Sequence, residues 1–476
     1  MTTMLHFDAD VEPLLGVLRD ALPLVALAVA HARSDEPLYF PSVEALAADM
    51  AAAFERAVLR SILVACDRTS PLKTPDGQTL RVRCRREVTL YSRSGPIRIL
   101  RSIYSPNSAA SAKTYDPVIA RCGAIGHWLP ATSAAMAMLV EHVPQREAQE
   151  ISSQMRLLPY ASSSFWKQTQ AIGKLYMEHE EALEEQCVRT VVVPEKTAGI
   201  VLSIDRVSLP VEYPRKRPPG RPKKHAAKRP IERVFEMAYC ATMSWHDAQG
   251  KTLGTIRYAR MPDESIDELF DALRDDCKAA LAQRPELQLS VVCDGAHEFW
   301  NAAERAFSAG NIDVPVKMLV DFWHLLEKVG RAMVARWGKE RGAREHAYWR
   351  MRLLNDSSAW KKLLDQIVRW RRDEPVGSKE RPIHDVLTYL RNHGEAGRLD
   401  YAQTRREGRP VGSGPVEATC KTVVEVRMKR CGTRWKHKNA ARFIRLRAAA
   451  RSGRWQLVVD TLLRIHVHGF PRLAAA

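Results

Sequence analysis

No two cysteines in this chain stand at C-x-x-C spacing. The nine (Cys66, Cys84, Cys122, Cys187, Cys240, Cys277, Cys293, Cys420, Cys431) are odd in number and scattered. That argues against a zinc ribbon or a disulfide framework and suits free thiols in a reducing cytoplasm. A long apolar run is also missing. The richest N-terminal stretch, Ala21 to Ala32, falls short of the roughly 20 residues a membrane span needs. The acidic "HFDADVEP" before it is no basic leader. A buried helix and no membrane contact are therefore expected. Acidic residues are the third deficit, 55 against 73 Lys and Arg, a formal net charge of +18. This balance points to a polyanionic partner, nucleic acid before any acidic membrane.

What is present is the material of a folded protein. The chain has 476 residues, 45% of them hydrophobic, with eleven tryptophans. This is enough for two or three domains with a real core. Residues 1–75 carry helical periodicity. From Arg81 to Tyr104, apolar and basic residues alternate around Ser-Gly-Pro, the pattern of a basic hairpin. Within 117–186 a short helix (145–156), a turn with Pro159 and a second helix from Ser163 give a helix-turn-helix spacing. Lys167, Gln168 and Gln170 then either face a major groove or lie on two helices packed without DNA.

After "EEALEEQ" the periodicity changes. Residues 199–205, 234–245 and 252–258 read as strands and 264–284 as an amphipathic helix. Then come a strand (287–295), a helix and a strand (314–320). This is the element order of a ribonuclease H-like α/β core with a mixed sheet. Residues 322–408 are nearly all helical, with Trp337, Trp349, Trp360 and Trp370 spread through them, and a last helix starts near Val416. The expected division is 1–75 helical, 76–186 a hairpin and helix-turn-helix-like DNA-binding region, and 187–321 the first part of the core. A basic loop, 213–231, interrupts that core. Residues 322–408 form a helical insertion, and 409–476 carry a final helix and a basic C-terminal region.

Three acids stand out by position. Asp205 closes the first core strand, Asp294 closes the fourth just before a Gly, and Glu417 lies in the first turn of the late helix. A lone acid at such a place is ordinarily a cap or turn residue. In this element order, however, the first and fourth strands are neighbours, so both Asp side chains emerge at one end. Hard carboxylate oxygens there suit Mg²⁺. Two such ions can serve the attacking and leaving oxygens of a phosphoryl transfer. His297 and Glu298 read as surface residues of an early helix turn.

The ordered motifs "LSVVCDGAHEFWN", "MLVDFWHLLEKVG" and "GRPVGSGPVEATCKTVVEVRMKRCGTRW" resemble bacterial insertion-sequence transposases of the ISKra group. That group lies within the Mutator-like branch with a D-D-E active site. The segment "MAYCATMSWHDAQGKTLGTIRYARMP" resembles the same family, and the likeness runs from about residue 80 to the C-terminus. It implies Asp205, Asp294 and Glu417 as catalytic acids holding two Mg²⁺, with Mn²⁺ able to substitute. Asp321 and His324 in "DFWH" match an auxiliary motif. It also implies double-stranded DNA as partner, at least a dimer when transposon ends are synapsed, and a cytoplasmic, nucleoid-associated location. The chain departs from many relatives in lacking Cys pairs near its hairpin and in carrying Arg206 where they have Gly.

Basic residues supply the rest of the expected DNA surface. Lys421, Arg427, Lys429, Arg430, Arg434, Arg445 and Arg447 follow Glu417, opposed by few acids, and would lead a phosphate backbone across the site. Trp435 either stacks on an unpaired base or belongs to the core. "RKRPPGRPKK" carries Arg215, Arg217, Arg221, Lys223 and Lys224 around an AT-hook-like Gly-Arg-Pro kernel. It suits a narrow minor groove or else is a solvated loop. The reading on these grounds is a DNA transposase. A non-catalytic DNA binder and a Mg²⁺ nuclease without strand transfer are the alternatives.

Overall fold

The structure, a computed structural model, describes residues 12–34, 39–106, 114–214, 231–370, 381–471 and 473–475. The chain divides into two compact units, Met1–His179 with Val459–Ala476, and Glu180–Val458. The last residues thus belong with the N-terminal unit, not with the Glu417 helix as the sequence division had them. They do so because Ala474–Ala475 pair antiparallel with Leu72–Lys73.

The first unit opens on helices α1 (Glu12–Ala32) and α2 (Phe40–Ala65). The expectation of a buried helix at Ala21–Ala32 fails. Among the described side chains of α1 only Ala21 is buried, while Leu22 and Leu27 are 66% and 70% exposed. The helix packs on α2 within this unit and leaves the rest of its circumference open. Its apolar window also runs further than the sequence count. Leu14–Ala32 is long and apolar enough to cross a membrane by length and composition.

Strand β1 (Leu72–Lys73) leads into the expected hairpin, β2 (Thr79–Ser92) and β3 (Gly95–Pro106). Its two-residue turn, Arg93–Ser94, needs Gly95 at φ +127°, a conformation only glycine adopts freely. Leu90, Ile97 and Ile99 are buried while Arg81, Arg83, Arg85 and Arg98 face out, which is the alternation of a one-sided sheet. Helices α3 (Pro117–Cys122), α4 (Pro130–His142), α5 (Gln145–Gln154) and α6 (Ser162–Glu178) follow. The turn between α5 and α6 holds Arg156 and Leu158 in the left-handed region. It is pinned to the hairpin tip by the Leu158 N–H on the Arg93 carbonyl and the Tyr160 hydroxyl on the Ser92 carbonyl.

The second unit begins with α7 (Glu180–Arg189). It continues through β4 (Gly199–Pro214), β5 (Ile231–His246), β6 (Thr252–Arg260), α8 (Ile266–Gln283), β7 (Gln288–Cys293), α9 (His297–Ala306) and β8 (Val316–Val320). It is a mixed α/β unit whose five strands lie in the order β6-β5-β4-β7-β8. The first three are antiparallel to one another, and β4, β7 and β8 run parallel. Ile200, Leu202, Leu289 and Val291 are fully buried, as expected of central strands covered on both faces. Ser265 caps α8 through its side chain.

The helical insertion follows: α10 (Phe322–Asn355), α11 (Ala359–Trp370), α12 (Pro382–Glu395) and α13 (Tyr401–Arg406). Glycine at 338, at φ +75°, breaks α10. Trp337 meets Trp370 edge to face at 4.6 Å, and Trp349 is buried. The tryptophans therefore build the core of this layer. The chain returns through α14 (Gly414–Thr419), a π-helical turn (Cys420–Glu425), α15 (Val426–Met428) and α16 (His437–Arg451), and closes on α17 (Trp455–His468).

Candidate active site

The parallel pairing of β4 with β7 is short, running from Gly199–Gln288 to Leu202–Val291. Beyond that point β4 stays paired with β5, out to Pro214 and Ile231, and meets Trp435 through an isolated bridge at Val211. Asp205 and Asp294 each lie three residues past the last couple, Leu202 and Val291. If the pairing continued they would stand opposite each other. Asp205 does not end its strand as the sequence reading has it. Val207, Leu209 and Val211 are buried further along β4, a strand that packs on the π turn and α16.

The carboxylates sit in an acidic neighbourhood. Burial, together with the charge of Asp294, pushes the Asp205 carboxyl up, although the Arg206 N–H donates to its Oδ1 at 2.7 Å. Asp294 Oδ1 accepts the Ala296 N–H at 2.9 Å and so shapes the turn into α9. Arg206 relieves Asp205 in part, through its N–H and the charge of its side chain, but forms its ion pair elsewhere. Its guanidinium pairs with Glu298 at 2.8 Å and lies over the Phe299 ring. Glu298 and His297 are exposed, as the sequence reading expects.

Asp321 is the hub of the site. Its carboxylate is wholly buried and caps α10 by accepting the His324 N–H at 2.9 Å, while its other oxygen accepts the Ser413 N–H. Its own N–H donates to the Cys293 carbonyl at 2.8 Å, and the next N–H donates to Val411. One residue thus ties together the β7 end, the start of the insertion and the approach to α14. Burial raises its pKa, but the hydrogen bonds from His324 and Ser413 outweigh that and hold it below the ordinary carboxylate value. The Nδ1 of His324 lies 3.2 Å from Asp321 Oδ1. That contact, against the cost of burial and with the charges of Asp294 and Asp205, lifts the imidazole to about 9.

Glu417 is exposed in the first turn of α14. Three residues on, along the same helical face, the thiol of Cys420 lies 4.0 Å from Asp205 Oδ2, and Cys240 is Asp205's partner across the sheet. One ligand atom from each of Asp321, His324 and Glu417 falls within 4.8 Å of the others. Among the described residues that trio could share one cation, and neither Asp205 nor Asp294 belongs to it. Those two turn an oxygen to backbone amides instead, and like charges disfavour closer approach. Asp205, Asp294 and Glu417 offer the hard carboxylate oxygens that a divalent ion takes, but of the three only Glu417 falls within the converging trio.

Comparison of the chain with protein-family models and with curated proteins returns no match.

The basic residues expected to guide DNA divide sharply. Lys421, Lys429, Arg430 and Arg434 are exposed. Trp435 is 6% exposed; it donates its indole N–H to the Met428 carbonyl at 3.1 Å and stacks on Phe443. Of the two roles the sequence leaves open, base stacking and core, Trp435 takes the core one, and its expected place among the DNA contacts is corrected. Arg427 is corrected too, being buried with its guanidinium over Phe443. Arg445 is buried between Glu180 and Glu264. Arg447 donates to the Val423 and Thr422 carbonyls, satisfying groups that the π turn leaves open. In the first unit Lys167 is exposed, but Gln168 is buried and accepts the Ser133 hydroxyl, so it does not face out. Helix α6 starts at Ser162 without a side-chain cap, rather than at a capping Ser163. Arg215, Arg217, Arg221, Lys223 and Lys224 lie outside the described residues.

One wall of the site was not anticipated from the sequence. Tyr389 of α12 packs on Gly295, so that a Cβ at 295 would overlap its ring. The only sequence signal was the glycine itself, which marks a close approach. Lys328 sits over the same ring at 4.9 Å.

Proposed function

We propose that this chain is a DNA transposase with a ribonuclease H-like core and a D-D-E active site. In this reading it acts in the cytoplasm on double-stranded transposon ends and target DNA, as a homo-oligomer when ends are synapsed. The observation that carries it is the register of Asp205 and Asp294 at the ends of adjacent parallel pairings. The strand order and the helical insertion ahead of Glu417 support it, as does the sequence resemblance to ISKra-group transposases.

Asp205, Asp294 and Glu417 would hold two Mg²⁺, or Mn²⁺ in their place. Those ions supply charge neutralisation at the attacking and leaving oxygens. The chain's own contribution is positioning and electrostatics. Asp321 fixes His324 and keeps its imidazole protonated at neutral pH. That places a cationic donor among the acids, where an oxygen of the scissile phosphate would lie. Exposed Lys421, Lys429, Arg430 and Arg434 would hold the phosphate backbone beyond α14. Water cuts the phosphodiester at the transposon end, and the freed 3′-hydroxyl attacks target DNA in the same site without a covalent protein intermediate.

The test is a supercoiled plasmid carrying candidate terminal repeats, incubated with Mg²⁺. Cleaved and joined products are expected. Cutting without joining would assign a nuclease, and shifted bands without cutting would assign a DNA-binding protein. Cleavage by Glu417→Gln at the wild-type rate would remove Glu417 from the site.

A further inference from the structure

The insertion reaches the candidate acids through one side chain. Tyr389 is only 9% exposed, and its hydroxyl is buried with no hydrogen-bond partner in the structure. A buried polar group left unmade is unfavourable, so each such group calls for a reason. The position of this one is telling. A Cβ on Gly295 would lie 2.9 Å from the Tyr389 hydroxyl oxygen, so the oxygen sits against the backbone next to Asp294. Burial, and after it the charges of Asp294 and Asp321, push the phenol's pKa up. Its ring is held on the other sides by Lys328 at 4.9 Å and by His393, edge to face at 4.5 Å. A side chain fixed so firmly, with an idle donor beside a carboxylate, is preorganised for an acceptor that arrives later.

Asp294, the residue before Gly295, carries a charge that bears on the phenol. Its Oδ1 is engaged with the Ala296 N–H at 2.9 Å. A cation held by this carboxylate would change how its oxygens are presented to α12. We propose that Tyr389 is a positioning residue, whose hydroxyl donates to the Asp294 carboxylate when a divalent cation is bound there. It thereby links the helical insertion to the acids. Metal-ligating carboxylates are ordinarily hydrogen-bonded from behind in this way, and loss of such a partner typically weakens metal binding ten- to a hundredfold. The inference rests on the proposed reading of Asp205 and Asp294 as cation ligands.

The experiment is Mn²⁺ binding to the full chain, followed by electron paramagnetic resonance and calorimetry. It compares wild type, Tyr389→Phe and Asp294→Asn, with thermal melting of the metal-free proteins alongside. Tyr389→Phe keeps the ring and removes only the hydroxyl. It is expected to bind Mn²⁺ about tenfold or more weakly, while its metal-free melting temperature stays the same or rises as an unpaired buried hydroxyl is removed. A merely structural tyrosine predicts the reverse, a lower melting temperature with unchanged Mn²⁺ affinity, and that result overturns the proposal. Equal Mn²⁺ affinity at equal stability overturns it as well. If Asp294→Asn binds Mn²⁺ as wild type does, the reading of the acids as ligands falls, and this role for Tyr389 falls with it.

Discussion

Asp205 and Asp294 stand at the same level on neighbouring strands, each three residues beyond the last parallel couple of β4 and β7, Leu202 and Val291. At that level β4 stays with β5 while β7 ends at Cys293. The charge of Asp294 bears on the Asp205 carboxyl across that level, and the proposed reading makes both of them cation ligands. Asp205→Asn and Asp294→Asn should each lower Mg²⁺-dependent cleavage by about 10² or more, as loss of a preorganised electrostatic contact typically does. Their circular dichroism should match wild type. A single-turnover assay decides the matter, and near-normal rates in either variant would dissociate these acids from the chemistry.

The Asp321–His324 pair predicts a pH dependence. The folded imidazole is raised to about 9 from an ordinary 6.5. A raised value means that the native state binds the proton more tightly than the unfolded chain. The associated stability is complete below pH 6.5 and is lost as pH climbs through about 9. Metal-free protein should therefore lose on the order of 1–3 kcal/mol between pH 6.5 and 9.5 from this group. His324→Gln should flatten that slope. Denaturant titrations across the range measure it, and parallel slopes for both proteins would contradict the assignment.

Gly295→Ala places a methyl group into the Tyr389 ring. Overpacking of this kind typically costs about 1–3 kcal/mol. Because the clash lies with one side chain, adding Tyr389→Ala should recover part of the loss. The double variant is then less destabilised than the sum of the singles. Strict additivity in urea unfolding would mean that the two residues do not touch.

Trp435 and the exposed cations of the same segment should behave in opposite ways. Trp435→Ala removes a buried ring and should cost about 3–5 kcal/mol of stability. Neutralising Lys421, Arg430 and Arg434 together should leave the melting temperature nearly unchanged. It should weaken DNA binding and reduce the slope of log affinity against log salt by about one per lost contact. Fluorescence anisotropy at several salt concentrations reads this directly. An unchanged slope would return these residues to an ordinary solvated surface.

Much of the second unit was legible in the chain because its elements announce themselves locally. Unbroken apolar runs marked β4 and β7, a helical stripe marked α8, and spaced tryptophans marked the insertion. The first unit was legible in its hairpin, where Arg alternates with Leu and Ile around a glycine turn. It was misread at α1. An apolar stretch ordinarily signals burial, but how much of a helix is covered depends on its neighbours, and this one has mainly α2 against it. The same lesson applies to Trp435, Arg427, Arg445 and Arg447. A cation in sequence carries no label saying whether it meets water, a carboxylate or the open carbonyls of a π turn.

The sequence by itself determined which residues can form strands and helices, and where three acids fall relative to them. Those properties follow from local backbone preference and side-chain periodicity. Only the tertiary structure decided which groups meet. It bound Asp321 to Ser413 across the whole insertion, paired the Arg206 guanidinium with Glu298, and set Tyr389 against Gly295. Such contacts join segments tens of residues apart, and their pairing is fixed by how packed layers close on one another.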